Sequence, residues 1–186
     1  PIDAPGGVHR ERAIEPAKTA LLSIDMQNAE WSADRQKASS DPASDDHKHA
    51  YFLNRVGAVL LPNQVRLQAA ARAAGIEVIY TTIEAYTLVI PKTASVIFNS
   101  TNIEYVLRNL GIEYLIIYGV CTDQCVEGAV RDAADRGYLV TQIEDCCAAN
   151  SKDRHDVSIE QMRGHYCRTR STDEMLEELA MLTRAS

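Results

Sequence analysis

The segment Tyr114-Leu115-Ile116-Ile117-Tyr118-Gly119-Val120 is apolar throughout and shows no alternation. Seven residues are too few for a core helix, and a strand with one wet face would alternate polar with apolar positions. Such a run reads as a strand covered on both faces, the kind that sits inside a parallel sheet. Residues 19–25, Thr-Ala-Leu-Leu-Ser-Ile-Asp, form a second run of this type and end in a carboxylate. Residues 76–82, 88–91 and 138–144 read as three further strands, and the more polar 166–170 as a sixth at an edge. Helical patterns lie between them. Residues 65–74 are rich in Ala and Arg and stop at Gly75, with Pro62 at a first-turn position. Thr101-Asn102-Ile103-Glu104 fits a capping box for a helix ending near Gly111, and residues 126–136 form a helix closed by Gly137. Ser171-Thr172-Asp173-Glu174 is a second capping box opening an acidic last helix, while residues 28–49 read as a long polar loop. Alternating strands and helices predict one α/β domain over residues 1–186. It is a three-layer αβα sandwich with a mostly parallel sheet of about six strands, Rossmann-like in plan.

Charge and cysteine usage narrow the partners. Nineteen Lys and Arg against 26 Asp and Glu leave a net charge of −7, which argues against a nucleic-acid partner. The longest apolar runs are far short of the ~20 residues that cross a bilayer, and no basic-then-apolar leader opens the chain. Five cysteines at irregular spacing do not suggest a disulfide framework, so reduced thiols in a cytoplasmic protein are expected. A small molecule is the expected partner.

In a parallel sheet, ligands bind beyond the C-terminal ends of the strands. Asp25 ends the first strand, Lys92 follows the third, and Cys125 lies in the turn after the fourth. A thiol in a turn opening a helix gains thiolate character from the amide donors and the helix dipole. Those donors can also hold an oxyanion. A carboxylate can take the thiol proton and pass it to a leaving nitrogen, and a lysine can hold both anions in place. Each residue also has a plain structural reading: a small buried Cys, an Asp capping a turn, a solvated Lys.

Three stretches carry a family resemblance. They are Ala20-Leu-Leu-Ser-Ile-Asp-Met-Gln-Asn28; Pro91-Lys92 with Phe98-Asn-Ser-Thr101; and Gly119-Val-Cys-Thr-Asp-Gln-Cys-Val126, which continues through Arg131-Asp-Ala-Ala-Asp-Arg-Gly-Tyr138 to Glu144-Asp145. In these the chain resembles the isochorismatase-like cysteine hydrolases. That superfamily includes nicotinamidases, N-carbamoylsarcosine amidase, biuret and ureidoacrylate hydrolases, and isochorismatase itself. The resemblance implies a triad of Asp25, Lys92 and Cys125, with Cys125 attacking a carbonyl, Asp25 relaying the proton and Lys92 orienting the thiolate. It also implies an oxyanion hole made by the backbone amides of Cys121 and Cys125, with a cis peptide at Val120–Cys121. Gln27 and Asn28 either line the pocket or satisfy loop amides; Phe98 packs on substrate or on the sheet.

The resemblance to nicotinamidases stops at their metal motif. Where they carry Asp-x-His, this chain has Thr82-Ile83-Glu84, so no metal and no cofactor are expected. The cluster Asp45-Asp46-His47-Lys48-His49 reads as solvated side chains of the polar loop. Isochorismatase proper cleaves a vinyl ether, and the enterobactin-type enzymes lack the nucleophilic cysteine. Cys125 therefore points to C–N hydrolysis of a small amide, carbamoyl or ureido compound. A vinyl ether hydrolase and a catalytically silent binding protein stay open as alternatives. Relatives usually form homo-oligomers, so a dimer or tetramer is expected.

One connection looks too short. Residues 83–87 alone separate the second and third runs, whereas a parallel crossover needs about a dozen residues. A tight hairpin would reverse the third strand and carry Lys92 to the wrong end of the sheet. Residues missing from the numbering near Thr87–Leu88 are the expectation, betrayed by a jump beyond the ~3.8 Å of adjacent α-carbons.

Overall fold

The apolar runs become the strands of one sheet. A computed structural model describes residues 13–26, 31–82, 90–91 and 94–185. Its strands are β1 (Thr19–Ile24), β2 (Glu77–Thr82), β3 (Ile90–Pro91), β4 (Tyr114–Val120), β5 (Leu139–Ala148) and β6 (Arg168–Arg170). They lie in the order β3-β2-β1-β4-β5-β6, and every neighbouring pair is parallel. The two central strands, β1 and β4, are buried at every residue, as runs without alternation require. Leu21, Leu22, Leu115 and Ile117 are inaccessible to solvent, each contributing about 1.5–3 kcal/mol by burial.

The helices are α1 (Ala33–Ala38), α2 (Ala50–Arg55), α3 (Leu61–Ala73), α4 (Ile97–Ser100), α5 (Ile103–Asn109), α6 (Glu127–Asp135), α7 (Lys152–Met162) and α8 (Thr172–Ala185). α3 and α8 pack together on one side of the sheet, and α4 and α7 pack on α6 on the other, which gives the expected three layers. α2 runs into α3 through a wide turn, Val56–Leu60, in which the Leu61 amide donates to the Val56 carbonyl. The cause is Pro62. It has no N–H for the carbonyl of Ala58, and the helix absorbs the loss by widening one turn.

Several local expectations are corrected. Residues 28–49 are not loop throughout: Ser32 and Ser44 cap α1 and a short 3₁₀ turn, Asp45–His49. The Thr101–Glu104 box does not form, because Thr101 donates to the Ile97 carbonyl and Glu104 is taken by Arg108 and Arg136. The Ser171–Glu174 box does form, with both reciprocal bonds present (2.7 and 3.3 Å). α7 was not legible and is capped by Ser151. β5 runs on to Ala148, so Cys146 and Cys147 lie on the strand rather than after it.

β2 and β3 are parallel, with Thr81 opposite Ile90 and Thr82 opposite Pro91, so the reversed hairpin is not formed. β3 is only two residues long and begins level with the end of β2, which removes the need to recross the whole sheet. The expected break near Thr87–Leu88 lies outside the described residues.

Candidate active site

In a doubly wound sheet the ligand crevice opens where the strand order reverses, here between β1 and β4. Both strands deliver a candidate residue there. Asp25 follows β1 directly, is 3% exposed, and has a left-handed backbone (φ 51°), a conformation that Asp tolerates better than most residues. Thr81, at the end of β2 and in register with Ile24, fixes the carboxylate. Its hydroxyl donates to Asp25 Oδ1 at 3.0 Å and its Oγ1 and carbonyl both accept from the Asp25 amide at 3.2 Å.

Cys121 and Cys125 come from the β4 side. The peptide Val120–Cys121 is cis, as the resemblance implied. The chain then enters a wide turn, Thr122–Val126, where the Val126 and Gln124 amides donate to the Cys121 carbonyl at 3.2 and 3.1 Å, and α6 starts directly after it. Cys125 thus sits in the turn that opens a helix.

Asp25, Cys121 and Cys125 line one cavity of about 330 Å³, at the lower end of the volumes that hold small-molecule ligands. The other walls are Arg35, His49, Phe52, Val120, Gln124 and Asn150. Arg35 is held by Asp46, whose Oδ1 accepts from Nε at 3.0 Å and Nη2 at 2.9 Å. The acidic–histidine cluster is therefore more than a solvated loop: His49 belongs to this wall and Asp46 holds Arg35 in it, while Asp45, His47 and Lys48 are exposed. Among the described residues no three His, Cys, Asp or Glu side chains are grouped as a metal ion would require.

Lys92, Gln27 and Asn28 lie outside the described residues. Phe98 is in the core, its ring 6.0 Å from that of Tyr138 and 5.0 Å beneath the Arg136 guanidinium, and it does not line the cavity. None of the five cysteines is in a disulfide. Burial pushes the Cys146 thiol up, and that of Cys147 up to about 12, so both are inert at neutral pH. Cys121 and Cys125, partly exposed in the cavity, are the thiols a ligand can reach.

Residues 84–174 match the family model of the isochorismatase domain. Just under half of the chain is thus similar to an isochorismatase domain. Among curated proteins, it is 34% identical over 82 residues to an uncharacterized isochorismatase family protein, YecD, of Escherichia coli O157:H7, covering 44% of each chain. It is 40% identical over 58 residues to the ureidoacrylate amidohydrolase RutB of Agrobacterium fabrum, covering 31% of this chain and 25% of the relative. The chain thus spans less than half the length of these curated relatives. The fold is shared with a solved cysteine hydrolase from Pseudomonas syringae pv. phaseolicola. The TM-score is 0.72 at 20% identity, over 97% of this chain and 100% of the other.

Proposed function

We propose that this protein is a cysteine-dependent, metal-independent hydrolase that cleaves the C–N bond of a small amide, carbamoyl or ureido compound. The observation that carries the reading is the meeting of Asp25 and Cys125 in one small cavity at the point where the strand order reverses. In this scheme the Cys125 sulfur bonds to the carbonyl carbon, and its proton passes to the Asp25 carboxylate. Backbone amides of Cys121 and Cys125 hold the oxyanion. The C–N bond then breaks, and the proton on Asp25 leaves with ammonia or an amine. Asp25 next takes a proton from water; the resulting hydroxide adds to the thioester or thiocarbamate, and Cys125 departs as a thiol. Lys92 keeps the carboxylate and thiolate oriented, a role drawn from the family resemblance.

Two further observations support a small polar substrate. The volume admits a molecule of few heavy atoms, and Arg35, His49, Gln124 and Asn150 set polar groups around the apolar floor of Phe52 and Val120. Partial identity to a ureidoacrylate amidohydrolase is in keeping with a ureido group. A homo-oligomer, on the ground of the family resemblance, and a cytoplasmic setting, on the ground of cysteine usage, belong to the same reading; no described helix is long and apolar enough to cross a membrane.

The test is an ammonia-release screen over small amides and ureides with wild type and Cys125→Ala. Release by wild type alone supports the reading. A silent screen with turnover of isochorismate would replace it by vinyl ether hydrolysis, and binding without turnover of either would leave a ligand-binding protein.

A further inference from the structure

The turn that carries Cys125 is braced from behind by a buried polar chain that the proposed chemistry does not use. Arg55, the last residue of α2, donates from Nε to the Cys147 carbonyl at 2.9 Å and from Nη2 to the Glu144 carbonyl at 3.3 Å, so its guanidinium is tied to β5. The same Nη2 meets Nε2 of His155 at 3.1 Å, and Nδ1 of His155 meets Oγ1 of Thr122 at 2.8 Å. Thr122 is inaccessible to solvent and opens the turn Thr122–Val126.

Donor logic fixes the tautomer. A guanidinium can only donate, so Nε2 of His155 accepts and the ring proton sits on Nδ1, from which it is donated to Thr122. Burial first, and the Arg55 charge second, push His155 down to about 4, so the ring is neutral at working pH. The other charged groups around the ring are Lys152 and Asp156 on α7, which pair with each other, and Asp123 on the turn, which pairs with Arg154. Ser158 adds a second tie, its hydroxyl 2.7 Å from Glu127 and 3.2 Å from the Thr122 carbonyl.

We propose that His155 and Thr122, with Arg55 holding the imidazole, are positioning residues that set the aim of the Cys125 turn. Through Arg55 and His155, the elements α2, β5 and α7 are linked to one buried hydroxyl that does not line the cavity. Its neighbours three residues on are the thiol and amide that the reaction needs. A turn released from this brace no longer holds its amide dipoles on the thiol, and misplacement of about 1 Å can cost a hundredfold in rate. The inference deepens the cysteine-hydrolase reading, but its test stands apart from any substrate.

The experiment is site-resolved alkylation of Cys125 by iodoacetamide as a function of pH, with each peptide quantified by mass spectrometry. Wild type, Thr122→Val, Thr122→Ser, His155→Ala and His155→Asn are compared, and only proteins with a cooperative thermal transition above the assay temperature are scored. Thr122→Val and His155→Ala should move the alkylation midpoint upward by about half a unit or more. Thr122→Ser keeps the acceptor and His155→Asn keeps a donor at the Nδ1 position, so both should stay close to wild type. Coincident pH profiles for all scored proteins would overturn the proposal. Loss of ammonia release in Cys125→Ala decides the hydrolase reading by itself, so the two can fail independently.

Discussion

Gly119 lies so close to Ile24 that a β-carbon on it would stand 2.1 Å from the Ile24 carbonyl oxygen. The two are register partners on β4 and β1, and each is followed within two residues by a wall of the cavity: Asp25 after Ile24, Val120 and Cys121 after Gly119. Close approach of these two backbones is therefore what brings the carboxylate and the thiol turn to one place.

Gly119→Ala meets two obstacles at once, since Gly119 also has a φ of 136° that L side chains rarely adopt. Backbone cannot yield as a flexible side chain can. The substitution is expected to cost about 3 kcal/mol or more, measured as a lower midpoint in urea, with loss of activity in whatever remains folded.

Cys125→Ala should remove turnover by a thousandfold or more, an order-of-magnitude figure for deleting a nucleophile, while the thermal transition stays near wild type. Cys125→Ser should also be very slow, because a hydroxyl is barely ionised where a thiol is partly thiolate. Near wild-type rates for either would show Cys125 to be structural.

Thr81→Val removes a side-chain donor to Asp25 Oδ1 but keeps the shape of the β2 terminus. The Asp25 amide retains its bond to the Thr81 carbonyl, so the fold should lose only about 1–2 kcal/mol. Activity should fall further than stability accounts for, as a lower kcat with a nearly unchanged KM. Thr81→Ser should restore most of it.

The parts legible in sequence are those decided locally. β1 and β4 announce themselves as apolar runs without alternation, β2 as a short run rich in β-formers, and Asp25 and Cys125 follow from the rule that chemistry gathers beyond strand ends. The same rule points to Thr81, also at a strand end, yet a threonine there looks like any other β-former until the register sets it opposite Ile24. The end of β5 is hidden by Glu144 and Asp145, which read as a stop. In the fold, Asp145 accepts from the Thr172 amide and hydroxyl and from Asn63, so the strand carries these charges and continues. α7 lacks a clear apolar stripe, because its inward face is partly His155 and Ser158, residues chosen for hydrogen bonds rather than for burial of hydrocarbon. Arg35, His49, Phe52 and Asn150 reach the cavity only through tertiary packing, and no local pattern distinguishes them.

His155 gives the fold a defined acid response. Burial and Arg55 lower its pKa from 6.5 to about 4. Between those values the unfolded chain holds a proton that the native state refuses, so unfolding takes up protons and stability falls as pH falls. The contribution is fully present above about pH 6.5, is lost progressively down to pH 4, and is level below that. Its slope can reach at most about 1.4 kcal/mol per pH unit, the value for one proton. Carboxylates also titrate in the lower half of this window, so the wild-type curve alone does not isolate the histidine. His155→Asn does, because it keeps a donor toward Thr122 and removes the titrating ring. Urea midpoints measured from pH 7 to 4 should fall more steeply for wild type than for His155→Asn, with the two curves diverging first between pH 6.5 and 5. Parallel curves across that interval would mean that the imidazole accepts its proton in the native state as readily as in the unfolded one.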